Sequence, residues 1–339
     1  MIKPVFFVLV LGALLFQSAG ERQAPKMLLS DYGFFTGKIA DLKPAGDVVP
    51  YDLNMPLFSD YAWKARFIKI PAGTKIGFRQ NEVFEFPEGA VLIKNFFYPA
   101  DFNQPDGQKK ILETRLLVRE TKGWKALTYV WRDDQTDAEL EVAGGTKPVA
   151  WKDEKGENHR LNYSIPNVNQ CKSCHSRAGK MAPIGLTARQ LNKNFSYSDG
   201  AAHQLEKWAA MHLIDSLPAK EAIAKAASFE DADLEARARA YLDINCGSCH
   251  HPEGVANTSG LFLHYQETNP TALGILKAPV AAGRGAGNRQ FNIVPGKPDA
   301  SILLYRMESD DPGIRMPEIG RTLPHREGIS LIRKWIESL

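Results

Sequence analysis

All four cysteines of this 339-residue chain fall in two copies of one pattern, Cys171-Lys172-Ser173-Cys174-His175 and Cys246-Gly247-Ser248-Cys249-His250. Paired thiols at this spacing serve three chemistries. Structural zinc needs four thiolate or imidazole ligands closing round one point. A thioredoxin-like redox pair sits at a helix start beside a βαβ unit. Covalent haem c uses both thiols on the porphyrin vinyl groups and the next residue, His, on the iron. Zinc leaves the adjacent histidine unexplained in both copies, and no βαβ pattern surrounds either motif. A disulfide across a two-residue gap makes a strained staple. The motifs therefore predict two covalent haem c groups, tethered by Cys171 and Cys174 and by Cys246 and Cys249, with His175 and His250 as axial ligands. The second axial ligand decides the chemistry: His with Met suits electron transfer, and an open position permits ligand binding or catalysis.

The start of the chain fits that chemistry. A basic Lys3 precedes the apolar run "VFFVLVLGALLF" (Val5 to Phe16) and the small residues Ser18, Ala19 and Gly20. This is the pattern of a secretory signal, predicted to be removed after Gly20 and to send the protein to the periplasm or beyond. A twelve-residue helix rises only about 18 Å against a ~30 Å hydrocarbon core, so an uncleaved anchor is the lesser alternative. No cysteine follows for lipidation. The net charge of +3 and the lack of a basic, aromatic-interleaved run argue against nucleic acid. No later segment is apolar enough to span a membrane.

Two kinds of element must position the motifs. "LETRLLVRE" (Leu112 to Glu120) alternates apolar and polar residues, and "WKALTYVW" (Trp124 to Trp131) is rich in aromatic and β-branched residues; a turn between them predicts a hairpin. "FEFPEGAVLIKNFFY" offers two more strands around Pro87 to Gly89. Beyond Ile165, "AHQLEKWAAMHLI" and "DADLEARARAYLDI" have helical spacing, the second with Ser228 and Asp231 as its cap, and "REGISLIRKWIESL" closes the chain as a helix. The predicted fold class is α+β. A β-rich domain (21–164) is followed by a mostly helical haem region, made of a first haem-binding segment (165–228) and a domain carrying the second haem (229–339).

From Asp231 on, the chain resembles the small single-haem cytochrome c domain: a helix entering the C-x-x-C-H, a long loop, and a final helix bearing Trp335. "VPGKPDASILLYRM" (Val294 to Met307) resembles bacterial members of that family. The resemblance implies that Met316, before Pro317 in the loop leading to the last helix, is the sixth ligand of the second haem. Met316 lies 66 residues after His250, enough chain to reach the opposite haem face. Met307 reads as a core thioether, His251 is too close to His250 to cross the haem, and His264 and His325 read as surface or hydrogen-bonding residues. The glycines of "AAGRGAGNR" neither follow a strand nor open a helix, which leaves a loop in which Arg284 or Arg289 could meet a propionate.

The sixth ligand of the first haem is open. Met181 is a soft candidate, yet six residues past His175 span at most about 20 Å. His203 is the other leading candidate, with His212 and His159 behind it. "PLFSDYAWKARFIKIPAGTKI", "FPEGAVLIKNF", "IPNVNQCKSCHS" and "PIGLTARQLN" together resemble a family of exported bacterial di-haem c-type proteins with a β-rich N-terminal region. The resemblance implies the architecture and leaves the substrate undefined. The function expected is electron transfer to or from a redox protein partner. The alternative is a haem enzyme, peroxidase-like or acting on small nitrogen oxides or hydroxylamine, with an open first haem fed by the C-terminal one. A third class is a sensor that binds without turnover.

Overall fold

The computed structural model describes residues 24–339; the signal segment lies outside them. Six antiparallel strands form one meandering sheet in chain order: β1 (Val48–Tyr51), β2 (Trp63–Lys69), β3 (Val91–Pro99), β4 (Lys109–Glu120), β5 (Gly123–Trp131) and β6 (Ala138–Glu141). The hairpin expected from the alternation of residues 112–131 is β4–β5. Of the two strands expected around Pro87 to Gly89, the second is β3. The first makes only an isolated bridge, Glu85 to Gly77.

Alternation gives the sheet two different faces. Phe67, Ile93, Leu116, Leu127 and Tyr129 pack with Leu29, Phe34 and Phe35 from the N-terminal turns. The opposite face carries Ile68 and Leu92, which join a core reaching to Leu242, Leu304 and Trp335 in the C-terminal half. Towards its other end Phe96, Tyr98 and Leu112 pack under a separate hairpin, β7 (Gly145–Lys152) and β8 (Asn158–Ile165).

The expected mostly helical region after residue 165 is overturned. The elements there are α1 (Val168–Cys174), β9 (Ser176–Arg177), β10 (Lys180–Met181), α2 (Ala188–Leu191), β11 (Asn194–Tyr197), β12 (Gly200–His203), α3 (Gln204–Ala210), α4 (Leu234–Asn245), α5 (Ile302–Glu308) and α6 (Arg326–Ser338). Only α4 and α6 exceed seven residues. The helical pattern of residues 202–214 gives just α3, because its first residues pair as β12 against β11 and His212 turns left-handed at φ +57°. Between α4 and α5 the described chain runs in loops and short 3-10 turns. The cap of α4 also differs from expectation: Asp233 accepts from Ala236 N, while Asp231 accepts from Ser228 N outside the helix.

In α6 the buried stripe is Leu331, Ile332, Trp335 and Ile336. Gly328 lets α6 approach α4 closely, since a Cβ there would lie 2.2 Å from the Tyr241 hydroxyl.

One contact ties the sheet layer to the loop before α6. Asp60, 2% exposed, accepts from Thr322 N (2.6 Å), Thr322 Oγ1 (3.0 Å) and Leu323 N (2.8 Å). Asp60 and Tyr61 hold φ values of +50° and +64°, a conformation that costs non-glycine residues and persists where surrounding contacts enforce it. The Tyr98 hydroxyl donates to the Asp60 carbonyl from β3. Asp60→Ala strands buried donors, so it should cost about 2–4 kcal/mol in urea unfolding; an unchanged midpoint would show that the loop is held elsewhere.

Candidate functional site: two thiol motifs around one cavity

The first motif is built on α1. Asn167 caps it by accepting from Gln170 N, and the Gln170 side chain accepts from Asn167 N in return. Its last residue is Cys174 and His175 follows as the C-cap, so the two thiols sit one turn apart. Cys171, 7% exposed, borders a cavity together with Thr128 of β5. The β9–β10 hairpin returns the chain so that His175 Nδ1 donates to Ala182 O at 2.8 Å. That bond fixes the tautomer and leaves Nε2 as the nitrogen with a free lone pair. Burial pushes the imidazole down to about 4, which keeps it neutral, the form that ligates a metal.

The second motif repeats the arrangement at the end of α4. Cys246 is the C-cap, and Cys249 N and His250 N both donate to Cys246 O. His250 Nδ1 meets Leu261 O at 3.2 Å, again leaving Nε2, and burial again lowers the ring's proton affinity. A cavity of about 460 Å³ is bordered by Cys246, Cys249 and His250, and also by Met307 and Met316. Its volume is within the range of cofactor sites.

The two motifs touch. Cys174 of the first motif borders the cavity beside His250 together with Cys246 and Cys249, and Ala178 N donates to Glu253 O at 2.9 Å across the two loops. Burial pushes the Cys171 thiol up and holds Cys246 up at about 12. A second cavity of about 160 Å³ is bordered by Cys171, Cys174 and His175, and shares Cys174, Cys246, Cys249 and Met316 with the first. The four thiols do not close round one point. Among the described residues, the one set of three or more potential ligands within 4.8 Å of each other is Asp153, Glu157 and His159, on the β7–β8 hairpin. A tetrahedral four-cysteine zinc site is therefore not formed.

The other expected residues are spread more widely. Met316 borders both cavities, and so does the buried Met307. Met181 is paired with Ser176 in the β9–β10 hairpin and borders neither. His203 is buried with Nε2 on Asn192 Oδ1 at 2.9 Å, also away from both. Arg284 pairs with Asp311, and Arg289 stacks on Tyr305; Arg306 is the arginine at the cavity beside His250.

Sequence reasoning missed two residues. His325, read as a surface or hydrogen-bonding histidine, does bond the Tyr241 hydroxyl through Nδ1 at 3.0 Å, but it also borders the His175 cavity and stacks on Phe58 with ring centroids 4.1 Å apart. Arg321, 4% exposed, donates to the carbonyls of Arg306, Met307, Ser309, Met316 and Leu323. A lone arginine in a glycine- and proline-containing loop carries no spacing that would betray this.

Arg321 thereby fixes the backbone at Met316. Arg321→Ala should destabilise the fold by about 2–4 kcal/mol, because several buried carbonyls lose a charged donor. Proteolysis should then cut within residues 309–325, and a cleavage pattern like wild type's would remove Arg321 from this role. A scan against protein-family models finds no match, and no curated protein or solved structure is significantly similar to the chain.

Proposed function

We propose that the protein is an exported di-haem c-type redox protein that transfers electrons to or from a protein partner. The observation that carries this reading is the convergence of both C-x-x-C-H motifs on adjoining cavities, with Cys174, Cys246 and Cys249 bordering both. Cys171 and Cys174 would tether the first haem, with His175 as its axial ligand. Cys246 and Cys249 would tether the second, with His250 on one side and Met316 on the other. The donor set fits the group: two neutral imidazoles have their Nδ1 atoms occupied, and a thioether stands in the same cavity as His250. The space fits well at the second motif and is narrow at the first.

A covalently held haem supplies a one-electron couple that cannot be lost to the surroundings. The chain's own contribution is to hold the two tethers together. Neighbouring cysteines from different motifs bring the attached groups close, which is what passage of an electron between them requires. No helix among the described residues is long and apolar enough to cross a membrane.

One observation favours the enzyme as the second reading. Neither Met181 nor His203 borders the cavity beside His175. His325 does, and its other side faces an open cleft of about 830 Å³ lined by Tyr61, Trp63 and Trp151. A small molecule entering there would reach the first site past His325.

Absorption of the reduced protein with and without carbon monoxide separates the two readings, after the haems are counted by haemochrome assay. Two haems and no spectral change support the electron carrier; a change in about half the signal supports the enzyme. A count of zero overturns both. Met316→Ala should lower the potential of one haem and open it to carbon monoxide, and an unaltered titration would take Met316 out of the coordination sphere. In Cys171→Ala with Cys174→Ala, one covalent haem should remain.

A further inference from the structure

The sheet face that looks towards the thiol motifs carries a row of cations. Arg66 on β2 is directly opposite Lys94 on β3, and Lys94 is opposite Arg115 on β4. Lys64 lies two residues from Arg66 on the same side of β2. Like charges directly opposed across strands repel, and the interior strengthens that repulsion. Two carboxylates answer the four cations. Asp52 binds Arg66 at 2.7 Å and is shared with Lys193 at 3.0 Å; fully buried Glu113 binds Arg115 and also accepts from Tyr163.

Among the described residues, neither Lys64 nor Lys94 has a carboxylate within 4 Å. Asp60 is near Lys64, but its oxygens are engaged by Thr322 and Leu323. Lys94 Nζ is 4.9 Å and the Arg115 guanidinium 4.3 Å from the centre of the Phe96 ring, a weak substitute for an anion. Burial and the neighbouring cations hold both lysines well below their ordinary range. Lys94 and Arg115 border the same cavity as Cys171, Cys174 and His175.

We propose that Lys94 and Arg115 form an anion-binding wall, with Lys64 and Arg66 adding to its charge from behind, and that its ligand is a carboxylate or small oxyanion held in the cavity beside Cys171 and His175. An anion there would supply the charge the row lacks and gain charge-assisted hydrogen bonds from Lys94 and Arg115. This chemistry has two possible sources: the propionates of a porphyrin tethered at the first motif, or a free anion. Only the first rests on the two-haem reading.

The test compares the full-length protein, as purified from an exporting host, with Lys94→Met and Lys64→Met. Thermal midpoints are measured in chloride and with added nitrite or phosphate at constant ionic strength. Haemochrome count and redox titration are run on the same samples. If propionates occupy the wall, Lys94→Met lowers the thermal midpoint and the potential of one haem, and added anions change neither. If the anion is free, nitrite or phosphate raises the wild-type midpoint saturably, and Lys94→Met weakens that response about tenfold or more. The proposal is overturned if Lys94→Met or Lys64→Met unfolds at the same or a higher temperature in every buffer while wild type ignores the anions. Removing an uncompensated cation should then only relieve repulsion. A haem count of zero removes the propionate arm alone, and the free-anion arm still decides.

Discussion

Arg321 is the group on which the site's geometry depends. Residues 309–325 contain no helix or strand, so their carbonyls have no backbone ladder to satisfy them. A buried guanidinium takes that place, bonding carbonyls from α5, from Met316 and from Leu323. Such bonds matter most where water is excluded, because each carbonyl left alone would bear its full desolvation cost. Asp60 holds the other end of the same loop through Thr322 and Leu323. Two buried charges from distant parts of the chain thus give one shape to a segment whose sequence prescribes none.

That arrangement explains why the N-terminal sheet and the C-terminal helices do not pack as independent bodies. The largest core joins Ile68 and Leu92 of the sheet to Trp208, Leu242, Leu304 and Trp335. It runs across the expected boundaries near residues 164 and 228. The thiol cavities occur within this junction: β3, β4 and β5 form one wall, and the ends of α1 and α4 another. On the two-haem reading, attached groups would complete the junction, filling space that side chains leave empty.

The sequence was most legible where a residue's role is written in local spacing. The β4–β5 hairpin shows in its alternation, and α6 in its apolar periodicity, since it buries one face; α4 shows in its run of helix-forming residues and is buried all round from Ala238 to Leu242. The cysteine motifs are equally local, and each thiol pair closes with its histidine within one turn and its exit. The helix expected over 202–214 was cut short because periodicity records which residues are apolar, not what interrupts them. Gly200 takes positive φ at the β11–β12 turn, and His212 does so just after α3. The partners of His203, His325 and Arg321 lie far away in sequence or in loops, where spacing conveys nothing. The cation row is likewise hidden, since Lys64, Lys94 and Arg115 become neighbours only through strand register.

Register also explains why the sheet is asymmetric. A one-residue slip would move Lys94 and Arg115 into the apolar layer of Ile93, Leu116 and Leu127 and bring those side chains to the cavity. The apolar side of the sheet, packed on Leu29 and Phe34, resists that slip, because it would turn Ile93, Leu116 and Leu127 out of their layer. Stability on one face therefore lets the other tolerate a repulsive row. Such a row is costly to keep inside a protein unless something enters to neutralise it. The sheet then does more than cover the thiol motifs: its register fixes Lys94 and Arg115 in the wall of the cavity beside Cys171 and His175.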